Sequence, residues 1–279
     1  MNIGIVGLGL IGGSLGLDLR AQGYKVFGVS RRELTCQQAA ELGVVDEASV
    51  DLAILKATEV VFICTPIAAI GSTVEQLIPH IEAATVLTDV GSVKASVVEA
   101  IAPLWANFVG GHPMAGKADS GIEVAQLKLF ANKPYILTPI ATTPTAALET
   151  VEKIARTLEA NIYYCQPEEH DRAVSWISHL PVMISSSLIA ACMSDAPDVL
   201  KLAQQLASSG FRDTSRVGGG TPELGVMMAR YNRQELLRSL QEYQQQLEVL
   251  TNLIETEDWL ALEQYLKFTQ SARPQFIHE

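Results

Sequence analysis

The chain has 279 residues, 48% of them hydrophobic and 18% charged, with a formal net charge of −11. That is a globular composition, and the length is about twice a common single-domain size, so two domains are expected. The acidic balance argues against nucleic acid or an anionic membrane as the main partner, because both reward a basic surface, yet it leaves room for an anionic small molecule held by a few local cations.

In chain order, short apolar runs at 2–6, 25–29, 59–64 and 85–89 read as strands, and apolar-periodic segments at 10–21, 37–42, 68–78 and 95–102 read as the helices between them. Further strands are predicted at 108–110 and 135–138, and a helix at 143–158 opens on Thr-Pro. Continuous apolar strands alternating with helices predict an α/β fold, a Rossmann-type doubly wound parallel sheet. Beyond about Pro167 only helices are predicted, at 170–193, 197–208, 221–230, 232–255 and 257–269. The expected division is therefore a dinucleotide-binding domain at 1–165 and an all-α substrate and dimerisation domain at 166–279. Residues 234–250 have apolar positions at three- and four-residue spacing, an amphipathic helix suited to a homodimer contact.

Cys36, Cys64, Cys165 and Cys192 lie far apart, without metal-ligand or redox spacing. They read as small buried hydrophobes of a reducing compartment, and no metal is expected. The N-terminus has no basic region ahead of its apolar run, and the longest apolar stretch, 181–193, is short and carries three serines. Neither a leader peptide nor a membrane span is read, so a cytoplasmic location is expected.

Gly7-Leu8-Gly9-Leu10-Ile11-Gly12 follows the first strand and opens the first helix. A GxGxxG string is weak alone but strong between a strand and a helix: Gly7 for the tight turn, Gly9 for approach of a pyrophosphate, Gly12 for close packing. Phosphates then sit on the amides that start the helix, beside Leu10 and Ile11. An NAD site normally ends the second strand on an acid; here Ser30, Arg31 and Arg32 stand there, which suits a 2′-phosphate and predicts NADP.

Ligands in open parallel sheets bind beyond the carboxyl ends of the strands. Three polar segments fall there: Thr65-Pro66, the stretch 89–94 with Gly91 and Ser92, and the stretch 110–116 with His112 between glycines and a proline. An imidazole in that position suits acid–base chemistry near neutral pH.

GLGLIGGS at 7–14, TDVGSVK at 88–94, GGHPMAG at 110–116, SHLP at 178–181 and the glycine-rich stretch 209–220 together resemble the prephenate/arogenate dehydrogenase family of tyrosine biosynthesis over nearly the whole chain. The resemblance implies oxidative decarboxylation of a cyclohexadienol ring. It makes His112 the acceptor of the C4-hydroxyl proton, with Ser92 orienting it. Arg216 becomes the partner of a substrate carboxylate, and His179 and Gly116 line the pocket. His170, beside Asp171, reads as structural. No chorismate mutase or regulatory domain is expected in the remaining length. Where many prephenate-using members continue SHLP with a second histidine, this chain has Val182. Loss of that polar group tips the expected substrate toward arogenate. Two other readings stay open: a β-hydroxyacid-type dehydrogenase, disfavoured because Lys201 and Lys267 of the helical half lack a glycine- or asparagine-rich setting, and a non-catalytic NADP sensor.

Overall fold

The computed structural model describes residues 1–117 and 119–277; the final two residues of the expected helical domain lie outside the described residues. These form two compact units, Met1–Arg233 and Gln234–Glu279.

The first unit opens with β1 (Asn2–Val6), α1 (Leu10–Ala21), β2 (Lys25–Val29), α2 (Glu33–Glu41), β3 (Glu47–Ser49), β4 (Val60–Ile63), α3 (Ile67–Leu77), β5 (Val86–Asp89), α4 (Ala95–Ile101) and β6 (Phe108–Pro113). It continues through β7 (Pro134–Thr138), α5 (Thr145–Thr157) and β8 (Asn161–Tyr164). One eight-stranded sheet results, in the order β3-β2-β1-β4-β5-β6-β7-β8. Order reverses beside β1, the switch point at which such sheets leave a crevice for a dinucleotide.

The sheet is buried on both faces, which is why its strands are continuous apolar runs. Leu15 and Leu19 of α1 and Val151 and Ile154 of α5 join one core cluster, while Ile70, Val74 and Leu77 of α3 and Val97, Val98 and Ile101 of α4 join the other. Two details depart from the expected parallel sheet. β7 pairs antiparallel with β6, placing Ile136 opposite His112, and β3 and β8 are additional edge strands. The segment that follows the His112 loop is tied to α1, where Ser14 Oγ accepts from the Gln126 amide at 3.1 Å and Asp18 Oδ1 from the Lys128 amide at 2.8 Å.

Next come α6 (Pro167–Val174), a π-helical turn at Ser175–His179, α7 (Leu180–Met193), α8 (Pro197–Leu206), α9 (Ser209–Ser215) and a 3₁₀ turn at Arg216–Gly219. The glycine-rich stretch 209–220 is thus largely helical. The continuous helix Pro167–Met193 has 27 residues, and an 18-residue stretch within it reaches a mean hydropathy of 1.5, long and apolar enough to cross a membrane by length and composition. Its first half, however, carries His170 and Asp171 in a buried hydrogen-bond network. α10 (Pro222–Tyr231) is the last complete helix of the unit, whose final residue, Arg233, opens α11 (Arg233–Glu255).

The second unit holds the rest of α11 and α12 (Trp259–Ala272). Asp258 caps α12 by accepting from the Ala261 amide, and Tyr265 donates its hydroxyl to Gln246 at 3.1 Å. Leu247, Ile254, Trp259, Leu260, Leu266 and Phe268 are all exposed.

Candidate active site

The crevice beside β1 fits a dinucleotide. Gly7 adopts φ 103°, a conformation L side chains avoid, and a Cβ there would meet the Cys64 carbonyl oxygen at 2.6 Å. A Cβ on Gly12 would lie 2.0 Å from the Gly7 carbonyl oxygen, so only glycine lets α1 start this close to the turn. Gly9, by contrast, faces open space, the room a pyrophosphate needs above the first amides of α1, those of Leu10, Ile11 and Gly12. At the end of β2, Ser30 Oγ accepts from the Arg32 amide, and the Arg31 and Arg32 side chains are exposed. Thr65 lies at the end of β4 with its hydroxyl 3.5 Å from that of Thr73, next to exposed Pro66.

Asp89 closes β5. Its carboxylate accepts from the Gly91 amide at 2.8 Å and the Gly111 amide at 3.1 Å, and it pairs with Lys94. Lys94 is fully buried and also donates to the Gly111 carbonyl at 2.7 Å. Burial pulls its ammonium below the ordinary lysine range, and the Asp89 carboxylate opposes that fall. This buried pair clamps β6 at the residue before His112.

His112 is buried at the end of β6. Its Nδ1 lies 2.8 Å from His170 Nε2, and His170 Nδ1 lies 2.8 Å from Asp171 Oδ1. Asp171 in turn accepts from the Lys94 amide at 2.7 Å and the Ala95 amide at 2.9 Å, at the start of α4. These partners order the protons. The Asp171 carboxylate can only accept, so His170 carries a proton on Nδ1; with Nε2 left as the lone-pair nitrogen, His170 accepts there from His112 Nδ1–H. What remains is a lone pair on His112 Nε2. Burial first, then His170, Lys94 and His179, hold His112 well below the ordinary histidine range, so that lone pair is available at neutral pH.

His179 ends the π turn and is completely buried; Nδ1 is 3.1 Å from the Asn232 amide nitrogen, and Nε2 has no hydrogen-bond partner among the described residues. Burial lowers its pKa to about 4. A depressed imidazole pKa means that the unfolded chain binds a proton the folded chain refuses. His179 therefore contributes stability in full above pH 6.5, and this is lost as pH falls from 6.5 toward 4. The loss is on the order of 3 kcal/mol by pH 4. Urea midpoints should fall over that window in the wild type and fall less steeply in His179→Gln; identical slopes would refute the assignment.

The structure thus gathers His112, His170, Asp171 and His179 into one cluster, with Lys94 and Asp89 beneath it. Of the other residues singled out in the sequence, Ser92 is half-buried on the loop after β5, and the hydrogen bond of His112 Nδ1 is the one with His170. Gly116 is exposed on the loop after β6, and Arg216 is exposed on the 3₁₀ turn after α9. That turn is held from both sides by one buried hydroxyl: Ser185 Oγ donates to the Thr214 carbonyl at 2.8 Å and accepts from the Gly218 amide at 2.9 Å.

Two family models match the chain: the nucleotide-binding domain of prephenate dehydrogenase over residues 15–164 and its dimerization domain over residues 166–268. The chain belongs to the prephenate dehydrogenase family. It is 32% identical to the prephenate dehydrogenase of Bacillus subtilis over 276 residues, covering 96% of this chain and 74% of that relative. Among solved structures, Synechocystis arogenate dehydrogenase is 51% identical with a TM-score of 0.91, covering 99% of this chain and all of that one. Prephenate dehydrogenase from A. aeolicus, solved with hydroxyphenyl propionate and NAD+, is 28% identical with a TM-score of 0.94, covering 99% and 98%. As an oxidoreductase of this family, the chain has a glycine-rich crevice suited to a nicotinamide cofactor, and the histidine that its GGHPMAG motif marks lies inside the buried cluster.

The network's deeper members carried weak sequence signals. His170 sits in an ordinary polar helix start, Gln166 to Asp171, and nothing local relates it to His112, 58 residues away. Asn232 looks like a helix terminus. Lys94 was visible in TDVGSVK but reads as a surface cation until its burial is seen.

Proposed function

We propose that this chain is an NADP-dependent arogenate dehydrogenase, oxidatively decarboxylating arogenate to tyrosine. The observation that carries the reading is the Asp171–His170–His112 chain, which presents a neutral lone pair at His112 Nε2. In the reaction, His112 Nε2 takes the proton of the C4 hydroxyl as the carbon–oxygen double bond begins to form. The bound nicotinamide supplies the acceptor for the hydride leaving C4. The C1–carboxylate bond breaks, carbon dioxide departs, and its electron pair completes the aromatic ring. As Nε2 gains the proton, His170 and Asp171 steady the imidazolium through Nδ1–H. Ser92 helps to orient His112 and the substrate, and Gly116 and His179 border the ring. Arg216 offers a guanidinium to a substrate carboxylate, a geometry suited to a two-point contact. Ser30, Arg31 and Arg32 hold the 2′-phosphate of NADP, with Glu33 the nearest acid.

The 51% identity with Synechocystis arogenate dehydrogenase supports the choice of substrate, as does Val182 in place of a polar group. The division of labour follows the family domains, with residues 1–165 holding the cofactor and 166–279 supplying the substrate side and the contact between two copies. The exposed apolar residues of α11 and α12 support such a homodimer. The test is reduction of NADP and of NAD, followed at the nicotinamide absorbance, with arogenate and with prephenate. Fast NADPH formation with arogenate is the expected result. Turnover only with prephenate overturns the substrate, preference for NAD overturns the cofactor, and NADP binding without any turnover points to a sensor.

A further inference from the structure

Asn232 follows α10 at the point where the chain leaves the helix, and it is buried. Its amide nitrogen makes two contacts, one to the main-chain carbonyl of Asp171 at 2.7 Å and one to His179 Nδ1 at 3.1 Å. A carbonyl oxygen can only accept, so the nitrogen end of the amide, not its oxygen, must face Asp171. The same nitrogen has no lone pair to offer His179. The His179 Nδ1 therefore accepts, and the ring proton resides on Nε2. That Nε2–H is one of six buried side-chain polar atoms without a partner among the described residues. Leaving a buried donor unpaired is costly, and such atoms persist where a ligand completes them.

We infer that Asn232 is a positioning residue that fixes His179 as a neutral Nε2–H donor, reserved for an oxygen acceptor of the bound substrate, a carboxylate or carbonyl. The inference rests on the reading that the histidine cluster receives a ring substrate. The neighbours make a neutral donor the right group: Asp171 and His170 act on His179, and His179 acts on His112. A cationic imidazole would add a positive charge beside the base that must take a proton. A neutral N–H donates a hydrogen bond to a substrate oxygen without adding that charge. The π turn that carries His179 is a local irregularity of the kind found at such sites.

The direct test is nitrogen-15 NMR of histidine-labelled full-length protein, with the His179 signals assigned by their loss in His179→Gln. The expected spectrum shows His179 protonated at Nε2 and bare at Nδ1. In Asn232→Asp a carboxylate faces Nδ1, and the proton should move to Nδ1. Turnover should respond alongside: KM for the ring substrate should rise about tenfold or more, with kcat changed less and NADP affinity unchanged. A wild-type spectrum with the proton on Nδ1 overturns the inference without any variant, which matters if Asn232→Asp folds poorly beside the Asp171 carbonyl. An inverted tautomer with unchanged KM also overturns it, because the donor then has no substrate to serve. The expected tautomer in a protein that turns over neither arogenate nor prephenate supports the Asn232 assignment while sinking the proposed function, so the two failures are told apart.

Discussion

His112→Gln is expected to lower kcat about 10²- to 10⁴-fold, the range supplied by a positioned general base. Glutamine can still fill the space and reach toward His170, but its amide has no basic lone pair to take the C4-hydroxyl proton. NADP affinity should stay at the wild-type value, because the glycine turn at Gly7 to Gly12 is built by β1, α1 and the end of β4. Steady-state kinetics and a fluorescence titration with NADP check both halves. A raised KM at unchanged kcat would demote His112 to a binding group. The wild type adds a second readout: burial above all holds the His112 pKa well below 6.5, so kcat should be flat as pH drops through 6.5 and decline only at lower pH. An acid limb centred at or above 6.5 would mean that the network does not keep the base neutral.

The parts of the fold that were legible in the sequence are those whose residues solve a local problem. β1, β2, β4 and β5 are buried on both faces, so their apolar runs announce them, and α1 spans Leu10–Ala21, as its spacing predicts. β3 was missed because Glu47-Ala48-Ser49 is a three-residue edge without an apolar face. β8 was missed because Asn161–Tyr164 is an exposed edge: Tyr163 and Tyr164 stay exposed, so the stretch has no buried alternation to display. The antiparallel turn into β7 is equally silent, since it depends on where the long connection after His112 returns. His112 itself could be found because glycines and proline strip it of any structural reason to be there. His170, Asp171 and Asn232 could not, because their purpose appears only when α6 meets β6 and the end of α10 meets α6 and the π turn. The His170 contact to His112 is likewise silent, because spacing along the chain cannot relate residues 58 positions apart.

The largest loss of stability is expected from Lys94→Met. The ammonium has no exposure to water, so the Asp89 carboxylate it pairs with lies in a medium that cannot solvate an isolated charge. Removing one member of a buried pair costs about 3–5 kcal/mol, against a total folding stability of about 5–15 kcal/mol for a typical domain. The Gly111 carbonyl would lose its donor at the same time. Urea unfolding should register a drop of that size in Lys94→Met. The double variant Asp89→Asn with Lys94→Met should recover much of it, because the stranded charge is then gone while an amide oxygen still accepts from the Gly91 or Gly111 amide. Equal losses in the single and double variants would show that the cost lies in packing rather than charge. The pair also has a catalytic consequence, since it grips β6 one residue before His112. If the double variant recovers its stability but not its kcat, the clamp's value lies in holding the His112 Nε2 lone pair in register with the ring.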